Sequence, residues 1–100
     1  MSISVSINND NDTVTIAIVG SFDFSLFNDF RAAYSNLAEH YALYVIDMST
    51  VEYLDSAALG MLLSMRNAIE QDSKIQLKGA NAFIKNILMI SRFDKRFDIQ

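Results

Sequence analysis

Apolar and polar residues alternate from the start of the chain. Ile3, Val5 and Ile7 are separated by Ser4 and Ser6, the two-residue period of a strand with one buried face. Asn8-Asn9-Asp10-Asn11-Asp12 then predicts a turn, because Asn and Asp tolerate left-handed backbone and bond to it. The run also has the look of a calcium loop. It lacks that loop's glycine at the sixth position and glutamate at the twelfth, so the turn reading stands. Val14, Ile16 and Ile18, spaced by Thr13 and Thr15, predict a second strand that ends at Gly20. After Asp23-Phe24-Ser25 the period changes. Leu26/Phe27, Phe30, Ala33/Tyr34, Leu37 and Tyr41 recur every three or four residues, a helix with one buried face and Ser25 as its N-cap.

Leu43-Tyr44-Val45-Ile46 is unbroken and apolar, which predicts a central strand covered on both faces. Asp47 to Asp55 mixes polar and apolar residues and predicts a loop. A second helix runs from Ser56 to about Gln71, with a first half apolar nearly all round: Ala57, Ala58, Leu59, Met61, Leu62, Leu63 and Met65. Ile75 and Leu77 alternate within a fourth strand, Lys74 to Lys78, closed by Gly79. Asn81 caps a third helix with Phe83, Ile87 and Ile90 on one stripe and Ile84 and Leu88 beside it. Phe97-Asp98-Ile99 predicts a short last strand.

The order β-β-α-β-α-β-α-β predicts an α/β fold, a largely parallel mixed sheet covered by helices through right-handed crossovers. With 100 residues, 51% of them hydrophobic, the chain is expected to be one domain, 1–100, without repeat or linker. The apolar fraction and 11% aromatics exclude disorder. No cysteine is present, which removes disulfides, thiol catalysis and cysteine-held metals. The formal charge of −4 argues against phosphate-driven nucleic-acid binding. The start of the chain lacks a basic, apolar leader, and no apolar run reaches the roughly 20 residues that a bilayer requires. The expected location is cytoplasmic, with no membrane contact. Charge is uneven along the chain. Residues 1–55 carry eight of the twelve acids and one base, Arg31, whereas residues 56–100 carry the other four acids and seven bases. Such asymmetry can steer an oriented partner.

Enzyme chemistry finds little support. Proline is absent and three glycines cannot write a phosphate loop. No serine is flanked by the glycines of a nucleophile elbow. His40, the single histidine, falls at the expected end of the first helix, where the helix dipole favours a cation in a capping or surface role. Asp23, Asp47 and Asp55 lie near strand ends, where α/β proteins place function, and three carboxylates there could hold magnesium. A receiver-type site would also require a lysine at that edge, and Lys78 is the one available.

Tyr53-Leu54-Asp55-Ser56-Ala57-Ala58-Leu59-Gly60 is the most informative segment. It places Ser56 at a helix start, where unpaired N–H groups favour negative charge. Small residues at Ala57, Ala58 and Gly60 allow another backbone to approach. On the residues alone, an N-cap at Asp55 or Ser56 worth about 1 kcal/mol also accounts for the segment.

Asp55-Ser56-Ala57-Ala58-Leu59-Gly60, preceded by Val45-Ile46-Asp47-Met48-Ser49, resembles the signature of the STAS domain of anti-sigma factor antagonists, Asp-Ser-(Ser/Thr)-Gly-Leu-Gly. Gly20-Ser21-Phe22-Asp23 resembles the Gly-x-(Leu/Ile/Val)-Asp segment of the same family. The resemblance spans nearly the whole chain. It implies a partner-switching protein that is a substrate and ligand rather than an enzyme and has no cofactor of its own. Unphosphorylated, it would bind an ATP-using serine kinase of the anti-sigma type. Phosphorylation of Ser56 would release it, and a PP2C-like phosphatase using manganese or magnesium would reset it. Two alternatives remain: a STAS scaffold or ligand-sensing module that is not phosphorylated, and a small metalloenzyme on Asp23, Asp47 and Asp55.

The chain departs from the pattern at Ala57, which removes a second hydroxyl, and at Ala58 in place of glycine. The family's usual last helix is expected to be short or missing. Phe93, Phe97 and Ile99 would then stay partly open, consistent with a monomer or weak dimer. The partner surface is expected to span Asp23, Ser25, Asp55, Ala57, Ala58 and Gly60, with Met61 as an exposed apolar contact. Leu59, Leu62 and Leu63 would face the sheet while Met61 and Met65 point elsewhere. The basic surface around Lys85 and Arg92 is the alternative.

Overall fold

The computed structural model describes residues 2–100. Five strands, β1 (Ile3–Asn8), β2 (Thr13–Phe22), β3 (Leu43–Leu54), β4 (Lys74–Lys78) and β5 (Asp98–Ile99), form one sheet in the order β1-β2-β3-β4-β5. β1 is antiparallel to β2 and every later pair is parallel. Three helices, α1 (Phe27–Ser35), α2 (Ser56–Ala68) and α3 (Ala82–Ile90), connect the parallel strands. The fold is thus the mixed, largely parallel α/β arrangement that the residue periods imply.

The strand order never reverses. Right-handed crossovers then deliver every helix to the same face of the sheet. The burial pattern agrees: Val14, Ile16, Ile18, Ile46, Met48, Ile75 and Leu77 are all at most 1% exposed and share one core. Their strand neighbours Thr13, Thr15, Ala17 and Gln76 are half-buried, and Lys74 and Lys78 are exposed. The expectation that Leu43 to Ile46 is covered on both faces is therefore corrected. Val45, paired with Thr15 and Gln76, is buried on the other face and does not join the core.

The expected loop from Asp47 to Asp55 is instead the second half of β3. It pairs with Val19 to Phe22, so β2 also runs past Gly20, and irregularities between Ala17/Val19 and Gly20/Ser21 shift the register. A bulge breaks the two-residue alternation, which is why the segment reads as a loop. The helices are shorter than their stripes. α1 ends at Ser35, although Tyr41 beyond it still packs into the core at 5% exposure. His40 consequently sits in a connection rather than at the end of α1, exposed and 3.8 Å from Glu70. α2 stops at Ala68 rather than Gln71.

Two further corrections concern the last quarter. On α3 it is Ile84 and Leu88 that are buried, while Phe83 and Ile90 are 69% and 72% exposed. Phe93 and Phe97 are buried and stacked 5.3 Å apart, not open. A 3-10 turn at Phe93–Lys95 tucks them under the sheet edge before β5, which is two residues long. Among the described residues no helix is long and apolar enough to cross a membrane.

Gly79 ends β4 with a φ of +80°, and a Cβ there would lie 3.0 Å from Cβ of Ser49. Both the left-handed backbone and the close approach select glycine. Gly79→Ala is expected to cost about 1–3 kcal/mol, read as a lower urea midpoint with an unchanged slope.

Candidate functional site

Phe22 and Leu54 are register partners at the ends of β2 and β3. The next residues, Asp23 and Asp55, therefore leave the sheet side by side, and the Asp55 N–H donates to the Phe22 carbonyl at 3.4 Å. Each carboxylate caps the turn immediately after it. Asp23 accepts from the Ser25 N–H at 2.9 Å and from the Ser25 hydroxyl. It caps a 3-10 turn at Phe24–Leu26, so the N-cap is Asp23 and not Ser25, which lies inside the turn. Asp55 accepts from the Ala58 N–H at 2.9 Å with extended backbone, the geometry of a helix N-cap. That bond goes to the helix start rather than to the Ser56 hydroxyl.

Ser56 is the first residue of α2 and is exposed. The Ser56 and Ala57 N–H groups have no acceptor within the helix, because the cap serves Ala58 and the Asp55 carbonyl serves Leu59 at 3.4 Å. Negative charge on the Ser56 oxygen would sit against these N–H groups and the positive end of α2. One turn later Gly60 is exposed and has open space where a Cβ would be. Ser64 and Asn67 continue this exposed line of small and polar side chains along α2.

The expected surface is corrected on its apolar members. Ala58 is fully buried, and Met61 and Met65 are 5% and 0% exposed, while Leu59 and Leu63 are half-buried. The apolar arc of α2 is wide enough to face the sheet on one side and α1 on the other, and Met61 fills the second contact. Exposed apolar residues beside the Asp23 and Asp55 turns include Val19, Phe24 and Tyr53, each more than half exposed. Sequence reasoning missed Phe24 and Tyr53. The signal was present, because each directly adjoins the Asp23 or Asp55 segment on the chain.

Asp47 stands apart. It pairs with Ala17 and Lys78 in mid-sheet, eight residues before Asp55, a separation of about 25 Å at ordinary strand rise. Hydrogen bonds from the Ser49 N–H and hydroxyl, aided by Lys78, hold its carboxyl below the usual carboxylate range. Asp23, Asp47 and Asp55 thus do not converge, and the described residues contain no group of three His, Asp or Glu side chains placed to hold a metal. The cleft between α1 and α2, lined by Phe27, Phe30, Arg31, Tyr34, Met61 and Ser64, is about 250 Å³. That is below the roughly 300–1,000 Å³ typical of small-molecule pockets.

These positions generate two expected outcomes. Asp55→Ala should lower stability by about 1 kcal/mol through loss of the cap. Met61→Ala should cost about 2–5 kcal/mol, as for a buried methionine and unlike a surface contact. Chemical denaturation of both variants checks the assignment.

The chain can be placed among known proteins on this geometry. The family described as Mlab, STAS domain, matches residues 5–99. A STAS-domain containing protein of Pseudomonas aeruginosa (strain UCBPP-PA14) is 40% identical over 100 residues, 99% of each chain. A putative anti-sigma factor antagonist of Thermotoga maritima has a similar structure, with a TM-score of 0.82 at 19% identity over 97% of this chain and 84% of that one. The anti-sigma factor antagonist SpoIIAA in its unphosphorylated form aligns with a TM-score of 0.71 and 13% identity, over 98% of this chain and 86% of its own. The Bacillus cell fate determinant SpoIIAA in its phosphorylated form aligns at 0.68 and 14%, over 98% and 90%. At these identities the structural likeness speaks for the fold, whereas the match across residues 5–99 speaks for the family. The chain belongs to the STAS domain family.

Proposed function

We propose that this protein is an anti-sigma factor antagonist that works as a phosphorylation-controlled partner switch. In the unphosphorylated state it binds a serine kinase of the anti-sigma type. The kinase transfers the γ-phosphoryl group of ATP to Ser56: a bond forms from the serine oxygen to phosphorus, the bond to ADP breaks, and the hydroxyl proton passes to a base of the kinase. A PP2C-like phosphatase hydrolyses the ester and restores the binding form. The protein itself is substrate and ligand, not catalyst.

The observation that carries this reading is the placement of Ser56. It is an exposed hydroxyl on the first turn of α2, at the sheet end where the Asp23 turn also emerges. Ala57 bears no hydroxyl, so the motif offers one acceptor. A phosphate there brings about −1.5 to −2 charges beside Asp55, at the sheet end that also bears Asp23. The free N–H groups of α2 stabilise that charge by roughly 0.3–1 kcal/mol, so the fold is kept. The bound partner, by contrast, meets a hydrated dianion where a small neutral surface had been. Switching therefore needs local electrostatics and desolvation and no refolding. Phe24 and Tyr53 replace Met61 as the apolar anchors of the surface, since large exposed aromatics carry contact area at low entropic cost.

With the cognate kinase and ATP, intact mass is expected to rise by one phosphate, and Ser56→Ala is expected to abolish the gain. Calorimetry at one salt concentration should give near wild-type kinase binding for Ser56→Ala and at least tenfold weaker binding for Ser56→Asp. Asp23→Asn, which keeps a capping side chain, and Phe24→Ala should each weaken binding with little change in melting temperature. Full labelling of Ser56→Ala, or equal affinities of the alanine and aspartate variants, would overturn the reading.

A further inference from the structure

At the opposite end of the parallel strands, the C-terminal turn of α2, the start of β4 and the turn before β5 enclose a groove of about 300 Å³. Four cations line it: Arg66, Lys74, Lys95 and Arg96. Arg66 is 6% exposed, an unusual burial for a guanidinium with no acidic partner. Its two terminal nitrogens donate to backbone carbonyls, to Ser73 at 3.0 Å and to Glu70 at 2.7 Å. Its Nε–H has no acceptor. Arg96 is held nearby by a 2.7 Å bond from its guanidinium to Oδ1 of Asn67, one residue beyond Arg66 on α2.

Two guanidinium groups are thus kept close together. Burial and the charge of Arg96 both push the Arg66 pKa down, which places Arg96 near enough to be felt. Among the described residues, none of the four cations has a carboxylate within 4.0 Å; the one ion pair is His40 with Glu70. Asp94 and Asp98 also line the groove, and Asp98 accepts from the Gln100 side-chain amide at 2.6 Å. The two acids leave the cations in excess. The carbonyl end of α2 offsets about half a charge more, which still leaves the groove positive. Four cations lining one groove, none with a carboxylate within 4.0 Å, favour a bound anion.

We propose that this groove is an anion site for a phosphate-bearing small molecule, with Arg66 as its buried floor and Lys74, Lys95 and Arg96 as its rim. The planar guanidinium forks match phosphate oxygens, and the lysines add charge without fixed geometry. An open groove of this size favours a diphosphate or longer chain that reaches several cations at once. The site is separate from Ser56 in position and in chemistry and does not depend on the switch reading.

The test is a titration of the isotopically labelled protein with inorganic pyrophosphate, with ionic strength held constant by sodium chloride. Expected are saturable shifts at the amides of Ser73, Lys74, Lys95 and Arg96 and at the Arg66 Nε–H, with the Ser56 to Gly60 amides unmoved. The double variant Lys95→Gln/Arg96→Gln alters exposed side chains and should keep its melting temperature without ligand. It should bind pyrophosphate at least tenfold more weakly. Parallel titrations with inorganic phosphate and with ATP separate the sources: tighter binding of ATP assigns a nucleotide, and equal binding of ATP and pyrophosphate assigns the bare polyphosphate. Shifts no larger than those from chloride alone, or saturation unchanged in the double variant, would overturn the proposal.

Discussion

The parallel pairing of β2 with β3 along their full length is the contact on which the rest of the molecule depends. Other strands stop short of it: β1 pairs only up to Ile18 and β4 only up to Asp47. Beyond those points β2 and β3 continue alone from Val19 to Phe22 and from Thr50 to Leu54. That two-stranded extension is stabilised on one side by Phe22, Val51 and Leu54, all nearly inaccessible to solvent, and by the Phe22–Phe30 ring contact at 5.2 Å. Because the pair ends in register, both chains turn out of the sheet at the same level. Asp23 and Asp55 then cap two neighbouring turns, and Ser56 is delivered to an open helix start.

A second consequence is directional. With strands added in one direction only, the helices share one face and the C-terminal ends of the parallel strands point to one edge. Functional turns collect at that edge without any need for a deep pocket. The candidate site is a surface rather than a cavity, in keeping with the proposed partner switch.

Much of this was legible in the residues, and the exceptions have physical causes. Strict alternation placed β1 and β4 almost to the residue, and Asn81 caps α3 as its chemistry implies, accepting from the Ile84 N–H at 2.8 Å. The Asp55-Ser56 junction was legible because an acid before an apolar-periodic run is a helix-start signal. The second half of β3 was not, since its irregular register erases the period. Met61 was misplaced for a different reason. Periodicity tells how wide an apolar arc is, not which of two neighbours covers each flank, and α1 covers the Met61 flank. Phe83 and Ile90 show the same ambiguity in reverse: α3 is apolar on nearly every side, and the residue pattern alone could not select the Ile84–Leu88 stripe that packs inward.

Charge follows the same axis as the strands. The end bearing Ser56 carries Asp23, Glu52 and Asp55 against no nearby base on the same turns, whereas the other end gathers Arg66, Lys74, Lys95 and Arg96. An acidic edge is a poor place to add phosphate unless local donors compensate it, and the α2 N–H groups are the compensation available. The same edge is, however, a good place for phosphate to repel. A modest gain in helix stability and a large loss of complementarity to a partner can coexist there, because the first acts over one turn of helix and the second over the whole desolvated contact. The cationic end is more than a Debye length (about 8 Å at physiological salt) from that edge, since β3 alone spans twelve residues. Charge at one end is therefore largely screened from the other in water, so the two proposed sites are free of direct electrostatic interference.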